Sequence, residues 1–334
     1  MNDFFSRHSQ AAAPGSDFFP ESALVQSAQP NWPQSIYAPL RRPLRRLMRR
    51  SWRQPPLALW TLMGLLLLLG GCSVRKVGYA LAPRFLVSRI VDTYDLDRSQ
   101  KKALWSRIGA LFYWHRHTEL PMYVKLLDGT LERLQDQLTQ QEAAWISGEV
   151  DQAVQRLAKA AAPVAGQTLT GLSKAQIDHS EGAMKKGSQE RFERLELPEE
   201  KYVAFRLGKA RKNLTTWLGT YTEAQLREFE GFIRKNRLEE QRRMHRTEKN
   251  RAELLAALRS GASTTDLERL FFNWVSKLQT TPDAESEQAE RVNQQEFIDM
   301  LLRIEHSLSP QQRQHLLTEI RSVRNDFAEL AAEK

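Results

Sequence analysis

Cysteine is all but absent: Cys72 is the only one in the chain of 334 residues. A single cysteine excludes an internal disulfide framework and a multi-cysteine metal site. Proline is scarce where a body could form. Eight of the 14 prolines fall within the first 56 residues, and the remainder are Pro83, Pro121, Pro163, Pro198, Pro282 and Pro310. Proline inside a helix costs about 3 kcal/mol, so this spacing predicts a helical body with prolines at its joints. Sustained period-two alternation is missing as well, which argues against strands. The chain also lacks a Gly-rich phosphate loop, a His-Glu-x-x-His pair and a Gly-x-Ser-x-Gly elbow, so no familiar catalytic constellation is legible. The fold class expected is all-α, an elongated multi-helix bundle.

A long membrane-spanning run is lacking too. The longest apolar stretch, Leu57 to Gly71, has 15 residues, covering roughly 22 Å of a hydrocarbon core of about 30 Å. Arg49, Arg50 and Arg53 precede it, and Leu69-Gly70-Gly71-Cys72 closes it. Arginines, a short apolar run and a terminal cysteine resemble a bacterial lipoprotein signal. That resemblance implies cleavage between Gly71 and Cys72, a diacylglycerol on the Cys72 thiol and an acyl chain on the new amino terminus. No other cofactor and no metal are expected. Ser73, where an aspartate would resemble inner-membrane retention, favours the periplasmic face of the outer membrane. An uncleaved inner-membrane anchor is the competing reading. Residues 1–47 hold Pro14, Pro20, Pro30, Pro33, Pro39 and Pro43 without helical periodicity. They read as a disordered leader, or as residues upstream of a true start at Met48.

The expected organisation is therefore a leader 1–47, a signal peptide 48–71, an acylated tether 72–82, a helical body 83–278, a linker 279–287 and a helical pair 288–334. The formal charge of +9 overstates the mature protein. Residues 1–71 hold eight arginines and three acids, leaving 41 basic against 37 acidic residues. Such a balance is no nucleic-acid footprint. The partners expected are the membrane, through the lipid, and envelope proteins or anionic envelope polymers.

Within the body, Leu104, Ile108, Leu111, Phe112 and His115 form one helical stripe. Val124, Leu127, Leu131, Leu134, Leu138 and Trp145 read as a coiled-coil-like seam. Pro121 predicts a kink or corner at Thr118-Glu119-Leu120. Further helices are expected at 148–162, 174–193, 199–218, 223–258, 265–278, 287–306 and 310–332.

A short pattern recurs four times: an apolar residue, a capping side chain, two variable positions and glutamine. It runs from Leu96 to Gln100, from Leu172 to Gln176, from Tyr221 to Gln225 and from Leu308 to Gln312. Asp97, Ser173, Thr222 and Ser309 suit the N-cap, with Gln100, Gln176, Gln225 and Gln312 reaching back as capping boxes. Ile177 and Leu226 could staple onto Leu172 and Tyr221. The pattern also resembles the Leu-Thr-x-x-Gln repeats of small helical periplasmic chaperones, although no site has threonine after leucine. His115-Arg116-His117-Thr118-Glu119 has a partial echo in His245-Arg246-Thr247-Glu248, which hints at internal duplication.

The stretch Trp114-His115-Arg116-His117-Thr118-Glu119-Leu120-Pro121-Met122-Tyr123 resembles the signature of an uncharacterised family of helical Gram-negative lipoproteins, domain of unknown function 6279. Leu96 to Gln100 fits the same pattern, and Trp217-Leu218-Gly219 leading into Tyr221 matches it more weakly. The resemblance covers most of residues 75–260. It implies a lipidated helical envelope protein and carries no activity.

His115 and His117 lie two residues apart, so one helix face cannot present both to a metal. His115 is expected at the core edge, with Arg116 and Glu119 pairing at i,i+3. The segment 234–251 carries Arg234, Lys235, Arg242, Arg243 and Arg246, a candidate basic binding surface. The competing reading is a solvated face with pairs such as Glu239–Arg243. The function expected is non-catalytic macromolecule binding, chaperone-like or scaffolding. A dedicated structural subunit of an envelope assembly is the rival, and an enzyme comes third.

Overall fold

The computed structural model describes residues 74–276 and 284–333. The leader, the signal peptide, Gly71, Cys72 and residues 279–283 of the expected linker lie outside the described residues. Every regular element among those described is helical, so the fold is all-α. No helix among them is long and apolar enough to cross a membrane. Residues from Tyr79 onward form one compact unit; a second unit, Asp17–Gly78, enters the description only through its last five residues.

The chain runs through α1 (Val74–Tyr94), α2 (Arg98–Trp114), a π turn (His115–Glu119), α3 (Leu120–Arg133), α4 (Gln140–Leu169), α5 (Lys174–Leu195), α6 (Glu199–Leu218), α7 (Glu223–Lys235), α8 (Arg237–Arg259), α9 (Thr264–Ser276), α10 (Ala284–His306) and α11 (Pro310–Ala332). The expected tether 72–82 is helical from Val74. Tyr79 helps hold that part of α1, because its ring meets Phe112 edge-on at 5.6 Å and stacks on His115 at 5.7 Å. The last four residues of the stretch read as a linker, 284–287, open α10.

Three cores hold the helices. Val87 of α1 packs with Leu104, Ile108 and Leu111 of α2. Leu169, Ile177, Leu254, Leu258 and Leu267 join α4, α5, α8 and α9. The largest core gathers Leu127, Tyr202, Leu214, Phe229, Met300 and Ile320, drawn from α3, α6, α7, α10 and α11. The body 83–278 and the helical pair 288–334 thus share one interior.

Local structure departs from the sequence reading where one side chain outweighs periodicity. The seam from Val124 to Trp145 is not one helix: α3 ends at Arg133, and Trp145 belongs to α4. Thr139 accepts from the Glu142 amide and starts α4 with a full capping box. The helix expected over 223–258 breaks at Asn236, whose side chain donates to Phe232 O and to Glu296. Next to it, Arg237 donates to the Leu195 and Leu197 carbonyls at 2.8 and 2.6 Å, tying the start of α8 to the end of α5. Pro83 and Pro163 sit inside α1 and α4 instead of at joints. Pro163 is buried with Ala158, Ala161, Ala162 and Gly166. These small residues bring α9 so close that a Cβ on Gly166 would lie 2.8 Å from Thr264 O.

Candidate functional site

The four glutamines share one local arrangement. Asp97, Ser173, Thr222 and Ser309 each accept from the N3 amide, and each N3 glutamine accepts from the cap's own N–H, so all four capping boxes form. Leu172 and Ile177 share one core, and Tyr221 and Leu226 another.

The glutamines also meet in pairs. Gln176 Nε2 donates to Gln100 Oε1 at 2.7 Å, and Gln100 Nε2 returns a bond to Gln176 Oε1 at 3.2 Å. Gln225 and Gln312 exchange amide bonds of 3.2 and 3.0 Å. Second N–H groups reach neighbouring turns: Gln176 donates to Asp95 O, Gln100 to Gly171 O, and Gln312 to Thr220 O. Each side chain therefore caps its own helix and locks it to a helix start 76 or 87 residues away. The recurrence of glutamine was visible in the sequence; its pairing was not.

The second cluster surrounds the family-signature stretch. His115–Glu119 forms a π turn between α2 and α3, so the expected kink is one wide turn in a continuing helix. π turns arise where an extra residue is accommodated, often at functional positions. His115 Nδ1 lies 2.9 Å from the Tyr79 hydroxyl. Tyr123 meets the His115 ring edge-on at 5.5 Å. Burial pushes His115 down to about 4, so its imidazole is neutral at neutral pH. Burial also pushes the Tyr79 hydroxyl up to about 12.

The expected Arg116–Glu119 pair does not form. Glu119 is fully buried and takes a two-pronged bond from Arg156 of α4, at 2.8 and 3.2 Å. Arg116 instead pairs with Glu333 at 3.3 Å and lies over the Tyr79 ring. The π turn rotates Glu119 inward, away from a regular i,i+3 register. His117 bonds the Tyr113 carbonyl and stacks on the Tyr113 ring, facing elsewhere than His115. No group of three metal-capable side chains exists among the described residues. The echo at His245–Glu248 lies within regular α8, where His245 packs on Phe192 and Glu248 pairs with Arg251. The duplication does not extend to the π turn.

The basic segment is largely neutralised. Arg234 binds Glu199, Glu200 and Glu230 within 2.9 Å. Lys235 pairs with Glu296 at 2.7 Å, and Arg242 lies 3.7 Å from Glu239. The Glu239–Arg243 pair is replaced by an inward network. Arg246 bridges Glu239 and Glu290 at 2.9 and 2.8 Å, while Arg243 stands 3.8 Å from Glu290 and 3.9 Å from Glu240. Glu290 comes from α10, so the arginines of α8 face a helix that periodicity could not place. Burial raises the Glu290 carboxyl above its ordinary range, opposed by Arg243 and Arg246. Arg243 Nε, Arg246 Nη1 and Asn293 Oδ1 are buried without a hydrogen-bond partner among the described residues. Of the five basic residues, Lys235 and Arg242 are the most exposed.

No curated protein and no solved structure matches the chain. A family of unknown function, DUF6279, matches residues 92–276, which takes in three of the four capping boxes whole, the π turn and the basic segment. By that match over more than half of its length, the chain belongs to the DUF6279 family.

Proposed function

We propose that this chain is a lipid-anchored envelope protein whose helical body binds other macromolecules without catalysis, as a scaffold or chaperone-like module. The observation that carries the body's role is the pair of glutamine locks. They fix helix starts to one another through reciprocal amide bonds, which favours a stiff presenting surface. The address rests on Leu57–Gly71, the arginines before it and Cys72, and favours the periplasmic face of the outer membrane. The bound partner would be an envelope protein or an anionic envelope polymer met by the outward Lys235 and Arg242.

The neutral His115 beside Tyr79 is an arrangement that favours a catalytic alternative. Its Nδ1 is engaged by the Tyr79 hydroxyl and its ring by Phe112 and Tyr123, which better suits a packed core histidine.

The address is tested by feeding cells an alkyne palmitate analogue; Cys72→Ala that still takes up label and stays in the membrane sinks it. The body's role is tested by titrating purified protein against a denatured client at low and high salt. Suppression of aggregation that falls with salt and with Lys235→Glu plus Arg242→Glu, at unchanged melting temperature, supports a chaperone-like module. One stoichiometric partner in an envelope crosslinking experiment, with no suppression, points to the rival, a dedicated structural subunit.

A further inference from the structure

Helix α1 has two apolar sides. Val87, with Leu86, Ile90 and Val91, packs into the core against α2. Away from that core, Leu81 and Phe85 are 52% and 75% exposed. Four residues apart, they stack one turn above the other on a single face. Val77, 49% exposed, continues the same four-residue rhythm in the sequence. Arg84 and Arg89 are exposed beside them.

What covers this face is indicated by where the chain comes from. Leu81 stands nine residues beyond Cys72. At about 1.5 Å per helical residue, α1 advances only roughly 10 Å from Val74 to Leu81 and about 17 Å to Phe85. Acyl chains on Cys72 would hold that origin at the bilayer surface, and neither residue can then be far from the headgroups. A helix lying in the interface buries its apolar face about 5–10 Å deep, with arginines at phosphate level.

We propose that the Leu81–Phe85 face of α1 lies on an anionic phospholipid leaflet, with Arg84 and Arg89 at the headgroups, so that the anchor and the helix together orient the body. This rests on the lipid-anchor reading of Cys72.

The acylated Cys72 leaves no other thiol, so a new cysteine is a unique label site. The full chain carrying Phe85→Cys, or Thr318→Cys at an exposed position of α11 as a control, is expressed in a Gram-negative host with the palmitate analogue. Each is labelled with an environment-sensitive fluorophore and placed in vesicles of equal parts phosphatidylethanolamine and phosphatidylglycerol. Lipids with brominated acyl chains are expected to quench the Phe85→Cys probe several-fold more than the Thr318→Cys probe. Equal, weak quenching on palmitate-bearing protein overturns the bilayer face and leaves the anchor standing. A blue shift that depends on protein concentration and not on bromine overturns it in favour of a second copy. Absence of palmitate removes the anchor, and the bilayer face with it.

Discussion

At the residue scale, the glutamine pairs make the sharpest claim. Gln225 and Gln312 are almost wholly buried, so removing one strands an amide that the other had satisfied. Gln225→Ala is expected to cost about 2 kcal/mol in a urea melt, because an unpaired buried polar group bears its full desolvation penalty. The Gln225→Ala/Gln312→Ala double variant should cost about 1 kcal/mol less than the sum of the singles. Strict additivity would show that the two caps act independently. His115 makes a second claim, with a sign fixed by burial. Its folded value of about 4 lies below its ordinary 6.5, so the unfolded chain binds more protons in between. Stability should therefore be fully present above about 6.5 and be lost as pH falls toward 4, by at most roughly 3 kcal/mol. His115→Gln should flatten that slope in melts taken across the window, whatever it costs at neutral pH.

At the element scale, what was legible was local and what was not came from contacts between distant segments. Helices at 174–193, 199–218 and 310–332 are present within two residues of their expected ends, because caps and periodicity are written into neighbouring residues. The break at Asn236 and the inward turn of Arg243 and Arg246 depend on Glu296 and Glu290 of α10. No spacing within α8 could announce a carboxylate 44 or 60 residues on. Arg156 as the partner of Glu119 was hidden in the same way, since a π turn does not follow the 3.6-residue rhythm. Among the helices, α4 and α9 approach most tightly at Gly166. Gly166→Ala should destabilise by about 1–3 kcal/mol, because the added methyl meets the Thr264 carbonyl, backbone that cannot step aside. An exposed counterpart such as Gly182, with open space around it, should instead gain up to about 1 kcal/mol from helix propensity. Thermal melts of the two variants should move in opposite directions.

At the scale of the whole molecule, the family match stops at residue 276, yet the interior does not. Met300 and Ile320 are nearly inaccessible within the core that holds Leu127 and Leu214, and Arg324 bonds Asp128 through both carboxylate oxygens at 2.8 and 3.1 Å. A chain ending at residue 278 should therefore lose its cooperative melt and expose apolar surface to a hydrophobic dye. A sharp, unchanged transition would show that the matched region folds alone. The Asp128–Arg324 contact, spanning 196 residues, also sets a schedule. The entropic cost of closing so large a loop grows only with the logarithm of its length, so the obstacle is order in time, not free energy. Synthesis delivers α3 well before α11, and the inner face of α3 waits through the interval between them. A nascent chain must reach α11 before α3 can complete its part of the largest core, and any protease or holding factor that meets it earlier meets that face open.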